Sequence, residues 1–184
     1  PAGALLAALL LGLAALPALA AGVRPGMRVL DACAAPGGKT AHLLELYDIQ
    51  LTACEIDPGR AEKIEENLKR LDLQSEIVIR DASDIAVWGP ERRFDAILLD
   101  APCTASGILR RHPDIVLNRR PEDIPALASE QKKLLEALWP HLKFGGKMLY
   151  VVCSLFKEEG VSQITNSKLI RLRRNFSIYS SYWP

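Results

Sequence analysis

The sequence predicts an α/β fold built on a doubly wound, mostly parallel sheet. Three observations point there. Strand-like apolar runs alternate with amphipathic, helix-like stretches from residue 27 to residue 153. The first run, Val29-Leu30, passes through Asp31 and small residues into Pro36-Gly37-Gly38, then into a stretch with apolar Leu43, Leu44 and Leu46. The second run ends in an acid, Glu55, 17 residues after Gly38. Strand, tight loop, helix and a distal acid are the parts of a nucleotide-type βαβ unit.

The elements follow in order. Residues 1–23 carry no charge, and Leu5 to Leu16 is almost wholly Leu and Ala. Ala18-Leu19-Ala20 looks like a signal-peptidase site, but no basic residue precedes it. Gly3, Gly12 and Pro17 interrupt it as a membrane span, which takes about 20 residues. The segment reads as an apolar helix packed on the sheet, and no membrane partner is expected. The start at Pro1 rather than Met suggests a fragment of a longer chain.

Arg24-Pro25-Gly26 turns into the first strand, Met27 to Asp31. A helix runs from about Gly38 to Tyr47, and the second strand from Gln50 to Glu55. Asp57 is the N-cap of the next helix, with Pro58 at its first position. Ile64, Leu68 and Leu71 form its apolar stripe. The third strand is Glu76 to Ile79 and the fourth Phe94 to Asp100. Residues 104–120 lack periodicity and read as a long functional loop. A helix over about Pro121 to Leu142 follows, with Leu127, Leu134, Leu135 and Leu138 inward. Gly145-Gly146 is expected to turn the chain into the fifth strand, Lys147 to Val152. Glu158-Glu159 are expected to start another helix. The expected strand order is 3-2-1-4-5, with ligands beyond the carboxyl ends.

Composition sets bounds. A chain of 184 residues, 49% hydrophobic and 24% charged, holds one domain with a real core. Its net charge of +1 does not announce nucleic acid, but its distribution says more. Arg110-Arg111 and Arg119-Arg120 form basic pairs, either solvated surface or phosphate contacts. Residues 161–184 hold Lys168, Arg171, Arg173 and Arg174 and no acid. The four cysteines, 33, 54, 103 and 153, form no CxxC pair, which argues against a zinc ribbon, and no metal is expected. A reducing, cytoplasmic setting with one or two working thiols is expected.

Two ligands compete for the glycine loop. Gly38-Lys39-Thr40 fits the end of a Walker A loop, and Ile97-Leu98-Leu99-Asp100 resembles a Walker B strand. Cys33, however, stands where that loop needs its first glycine. A Rossmann-like adenosine site instead requires the acid that Glu55 supplies, and an NTPase has no need of it. The adenosine reading is favoured. Asp81, just past the third strand, is placed to accept from an adenine amino group or to cap a turn.

The expected order puts Cys103, with Asp100 and Pro102, beside Cys153. Adjacent parallel strands lie about 5 Å apart, so both thiols reach one pocket. A single strand-end cysteine is usually a small buried hydrophobe. Two on one rim, one beside an acid, favour chemistry.

Three separated stretches then show a resemblance. Cys33-Ala-Ala-Pro-Gly-Gly-Lys-Thr40, Asp100-Ala-Pro-Cys103-Thr-Ala-Ser-Gly107 and Cys153-Ser-Leu-Phe-Lys-Glu-Glu159 resemble the signatures of the NOP2/Sun (Fmu) RNA cytosine-C5 methyltransferases. Arg110 to Ile115 and Trp139 to Lys143 resemble the bacterial members that act on 16S ribosomal RNA. The likeness covers about residues 24–165. It implies a Rossmann-like class I fold dependent on S-adenosyl-L-methionine.

The resemblance also implies roles. Cys33, Ala34, Ala35, Pro36, Gly37, Gly38 and Lys39 would wrap the methionine part of the cofactor. Glu55 would hold ribose, Asp81 adenine, and Asp100 would border the sulfonium. Cys153 would add to C6 of cytosine and Cys103 would assist release, with Asp100 steadying the base. Lys39 would bear on the base or serve the loop. Arg110, Arg111, Arg119 and Arg120 are the candidate RNA contacts. The partner would be ribosomal RNA with an unstacked, single-stranded or loop cytosine, and no obligate protein partner is evident.

The family's usual Thr before the nucleophile and Asn after the glutamate pair are Val152 and Gly160 here. Neither change removes a reacting group. The expected layout is an apolar helical segment over 1–23, a catalytic domain over 24–165 and an atypical basic tail over 166–184. The tail is expected to be too short for the fold's last strands, which would leave strand five a bare edge. A non-catalytic cofactor- or RNA-binding remnant is therefore the third reading, beside the methyltransferase and the NTPase.

Overall fold

The computed structural model describes residues 22–165 and 176–180. Within them, β1 (Arg28–Ala32), α1 (Gly38–Leu46), β2 (Gln50–Glu55), α2 (Pro58–Arg70) and β3 (Glu76–Ile79) form the first half. The second half is α3 (Ile85–Trp88), β4 (Phe94–Asp100), α4 (Ile115–Asn118), α5 (Asp123–Leu138), β5 (Leu142–Val152), α6 (Val161–Thr165) and β6 (Phe176–Ser180). The sheet runs β3-β2-β1-β4-β5-β6, and every pair is parallel. The expected order is therefore found, with one strand added.

Period-two alternation builds the core from both faces of the sheet. Leu30, Ile97, Leu99, Met148 and Tyr150 pack with Leu134 and Leu138 of α5. Their neighbours Val29, Leu98 and Leu149 point the other way, onto Leu43 of α1 and Ile64 and Leu68 of α2. The central strands are thus covered twice, which explains their near-continuous apolar runs. The Asp57 side chain caps α2 by accepting from the Arg60 amide at 2.9 Å, with Pro58 inside the first turn.

Several expectations are corrected. Strand five is not a bare edge, because Phe176–Ser180 pair with Met148–Val152. Gly145-Gly146 do not precede the strand but lie inside it. β5 begins at Leu142, opposite Phe94, and resumes with Lys147 opposite Ala96, so residues 143–146 bulge. A Cβ on Gly146 would sit 2.8 Å from the Asp95 carbonyl oxygen, so only glycine fits this bulge. The helix before it stops at Leu138, and Trp139-Pro140-His141 form a 3₁₀ turn. Proline has no amide hydrogen to continue the α-helical ladder.

Leu127 is only half-buried, unlike Leu134, Leu135 and Leu138. The 104–120 loop contains a 3₁₀ turn at Ser106–Ile108 and the short α4. Glu158 and Glu159 lie in a turn, and the helix starts only at Val161. The apolar segment 1–21 and residues 166–175 of the basic tail lie outside the described residues. Among those described, no helix is long and apolar enough to cross a membrane.

Candidate active site

The loop after β1 is pinned by its neighbours. The Ala34 amide donates to the Cys54 carbonyl at 2.9 Å, and the Ala35 amide to Glu55 Oε2 at 3.2 Å. Asn67 Nδ2 of α2 donates to the Pro36 carbonyl at 2.8 Å. The loop includes a cis Ala35–Pro36 bond and a left-handed Cys33. Gly37 then sits at φ 94°, in the left-handed region, as the N-cap of α1. A Cβ there would lie 3.1 Å from the Cα of Ile64. Gly37→Ala is therefore expected to cost about 2 kcal/mol through strain and displacement. Chemical denaturation would read that loss, and calorimetry would read weakened cofactor binding.

The loop faces a cleft of about 260 Å³ beyond the carboxyl ends of the strands. Cys33, Ala35, Glu55, Asp81, Asp100 and Cys153 all line it. Ala34 and Gly37 are buried behind, Pro36 and Gly38 are exposed, and Lys39 points to Asp100. Glu55 is buried, and its Oε1 accepts from the Ile56 and Asp57 amides. Arg60 stands 3.4 Å from the same oxygen. Asp81 both lines the cleft and holds a turn. Its Oδ1 accepts from the Ser83 amide and hydroxyl, its Oδ2 from Lys133. Burial of Asp81 is outweighed by these donors, which hold its carboxyl below the usual range.

Pro102 lines the cleft as the strand order implies, but Cys103 is not among its lining residues, and sequence reasoning missed Arg60, Glu130 and Leu134, which do line it. The last two come from a helix whose other residues read as core and surface, so nothing local set them apart.

Lys39 Nζ pairs with Asp100 Oδ2 at 2.5 Å. Burial opposes the Lys39 charge, but Asp100, aided by Asp31, more than offsets it and holds the ammonium above its usual range. Thr40 is buried and donates to Asp31 Oδ2 at 2.6 Å. Lys39 and Thr40 are thus both engaged by carboxylates, of β4 and β1 respectively.

The two thiols meet where β4 and β5 end. The Cys153 amide donates to Cys103 Sγ at 3.3 Å. The neighbouring Cys153 side chain outweighs burial to hold the Cys103 thiol below its ordinary range. The backbone of Ala105 and of Cys153 adds to that lowering. The neighbouring Cys103 side chain, then burial, push the Cys153 thiol up; Asp100 adds to the rise and Lys39 opposes it. Cys33 and Cys54 differ. Burial, then the Glu55 carboxylate, push both up, Cys54 to about 12, which leaves them unreactive.

The four candidate RNA-contacting arginines divide. Arg110, Arg111 and Arg120 are exposed on the surface. Arg119, though also exposed, is turned to the site: its Nε donates to the Thr104 carbonyl and its Nη2 to the Cys103 carbonyl, both at 3.2 Å.

Strand order, pinned glycine loop and cleft together define a Rossmann-like, S-adenosylmethionine-dependent methyltransferase fold. A SAM-dependent O-methyltransferase from Thermotoga maritima shares that fold at TM-score 0.59 and 20% identity. The chain belongs to the 16S rRNA methyltransferase RsmB/F family, whose model matches residues 18–180. It is 50% identical over 142 residues to ribosomal RNA small subunit methyltransferase B of Pseudomonas putida, covering 76% of this chain and 33% of that protein. The Xanthomonas campestris protein of the same name is 50% identical over 143 residues, with the same coverage. The chain thus spans about a third of the length of the curated relatives it matches. Among solved structures, NSun6 from Pyrococcus horikoshii with SFG superposes at TM-score 0.78 and 32% identity, covering 86% of this chain and 40% of that one. A methyltransferase homolog protein from the same organism gives 0.71 and 36%, covering 82% and 47%.

Proposed function

We propose that this chain methylates C5 of a cytosine in 16S ribosomal RNA, with S-adenosyl-L-methionine as donor. The observation that carries this reading is the contact of Cys103 with Cys153, which lines the cleft together with Asp100, the partner of Lys39. The cleft suits the donor: it has a buried acid at the end of β2 for ribose hydroxyls and a second acid, Asp81, on its rim. The bound cofactor supplies an electrophilic methyl group.

The chain's own residues do the rest. Cytosine C5 is a weak nucleophile. Addition of the Cys153 thiolate at C6 makes C5 enamine-like, so that it takes the methyl group. The Cys153 proton passes to the neighbouring Cys103 thiolate. Asp100 steadies the base, and Lys39 holds Asp100 in place. Afterwards the C5 proton leaves to a base, the C6–sulfur bond breaks, and Cys153 is expelled. Cys103 serves this release. The exposed Arg110, Arg111 and Arg120 are offered to phosphates, and a ribosomal RNA substrate places the work in the cytoplasm.

A covalent-trap gel tests the reading. Cys103→Ala protein is mixed with a 16S ribosomal RNA transcript and S-adenosylmethionine, then denatured. A protein–RNA band that requires both Cys153 and the cofactor is expected. Intact cofactor binding with no band would overturn the two-thiol mechanism and leave a binding remnant.

A further inference from the structure

Glu159 is fully buried, and among the described residues no cation pairs with it. A carboxylate in that position needs donors. Four reach it. The Thr104 amide donates to Oε1 at 2.9 Å and Gln131 Nε2 at 3.1 Å. The Thr104 hydroxyl donates to Oε2 at 2.6 Å and the Ser154 hydroxyl at 2.5 Å. Thr104 follows Cys103, and Ser154 follows Cys153. One side chain therefore ties together the two loops that carry the thiols.

The anchorage extends outward. Gln131 also donates to the Pro102 carbonyl at 2.8 Å, on the other side of Cys103. The Tyr150 hydroxyl donates to the Glu159 carbonyl at 2.6 Å, fixing its backbone to β5. Arg119 holds the Thr104 carbonyl. Glu159 and Arg119 together thus take the amide, hydroxyl and carbonyl of Thr104.

We infer that Glu159 is a positioning residue that holds Cys103 in register with Cys153 and so governs release of the RNA adduct. The inference rests on the two-thiol reading. Its direction follows from where the bonds go. Two of the four end on Thr104, and a third orients Gln131, which holds Pro102. The Thr104 and Ser154 hydroxyls also meet each other at 3.2 Å and each meets Ser106 at 3.3 Å, but Ser154 additionally accepts from the Phe156 amide at 3.1 Å. Loss of Glu159 loosens the Cys103 loop first. Adduct still forms through Cys153, and its release slows.

The test compares Glu159→Ala, Glu159→Gln and Thr104→Val with the parent and with Cys103→Ala, using the 16S ribosomal RNA transcript and S-adenosylmethionine. Glu159→Ala is expected to accumulate the covalent adduct with Cys103 intact and to turn over about 10²-fold more slowly. Its affinity for the cofactor, read by calorimetry, stays that of the parent. Glu159→Gln should restore most turnover, because hydroxyls of Thr104 and Ser154 can accept from its amide. If Glu159→Ala does not fold, Thr104→Val decides by accumulating more adduct than the parent. Loss of turnover together with cofactor binding, and without adduct, would overturn the inference. So would parental adduct levels in Thr104→Val. Failure of Cys103→Ala itself to trap RNA would instead remove the two-thiol reading, and this inference with it.

Discussion

Cys153→Ala is expected to lower methyl transfer by about 10⁴-fold or more while cofactor affinity stays at the parent level. The expectation follows from what remains in the cleft. Without a sulfur to add at C6, C5 keeps its aromatic electron distribution, and the Lys39–Asp100 pair has only an unactivated base to orient. Positioning alone then supplies the residual rate. Cofactor affinity is spared because the loop that faces the cleft is held from β2 and α2, through the Cys54 carbonyl, Glu55 and Asn67, and not through β5. Single-turnover transfer of labelled methyl to the RNA transcript measures the first quantity and calorimetry the second. Turnover within tenfold of the parent would show that Cys153 is not the nucleophile.

Much of this site was legible because its signals are local. Glycine and proline mark the loop after β1, Asp57-Pro58 mark the start of α2, and apolar runs mark each strand. The strand order then brings Cys103 and Cys153 together without any further information. What escaped depends on long-range register. Gly145-Gly146 read as a turn because a glycine pair between a helix and a strand usually is one. Only pairing with Phe94 and Ala96 makes it a bulge. Phe176 to Ser180 showed too short an alternation to announce a strand, and the parallel edge of β5 organises it. Glu158-Glu159 read as a helix start. The burial of Glu159 needs donors from positions 104, 131 and 154, which no local pattern displays. Arg119 read as one of a basic pair, and its carbonyl partners likewise lie outside any local pattern.

Asp31 is expected to make stability fall as pH rises from about 4 to about 7, by an amount of the order of 4 kcal/mol. It is fully buried in β1, accepts from Thr40 at 2.6 Å through one oxygen, and among the described residues its other oxygen, Oδ1, has no partner. Burial, aided by Asp100 and Glu55 and opposed by Thr40 and Lys39, raises its pKa from 3.8 to about 7. Below the unfolded value both states hold the proton, and the favourable contribution is complete. Between the two values the unfolded chain releases the proton and the folded chain keeps it, so stability is lost. Above about 7 both states are ionised and the loss stays constant. Glu76, Asp81 and Asp95, held below the usual carboxylate range, act with the opposite sign. They are the same in parent and variant, so the difference between Asp31→Asn and the parent isolates Asp31. Urea unfolding across that pH range should show the variant gaining on the parent as pH rises. Parallel curves would mean that Asp31 is ionised at pH 5 in the folded protein, and that Lys39 divides its charge between two carboxylates and not Asp100 alone.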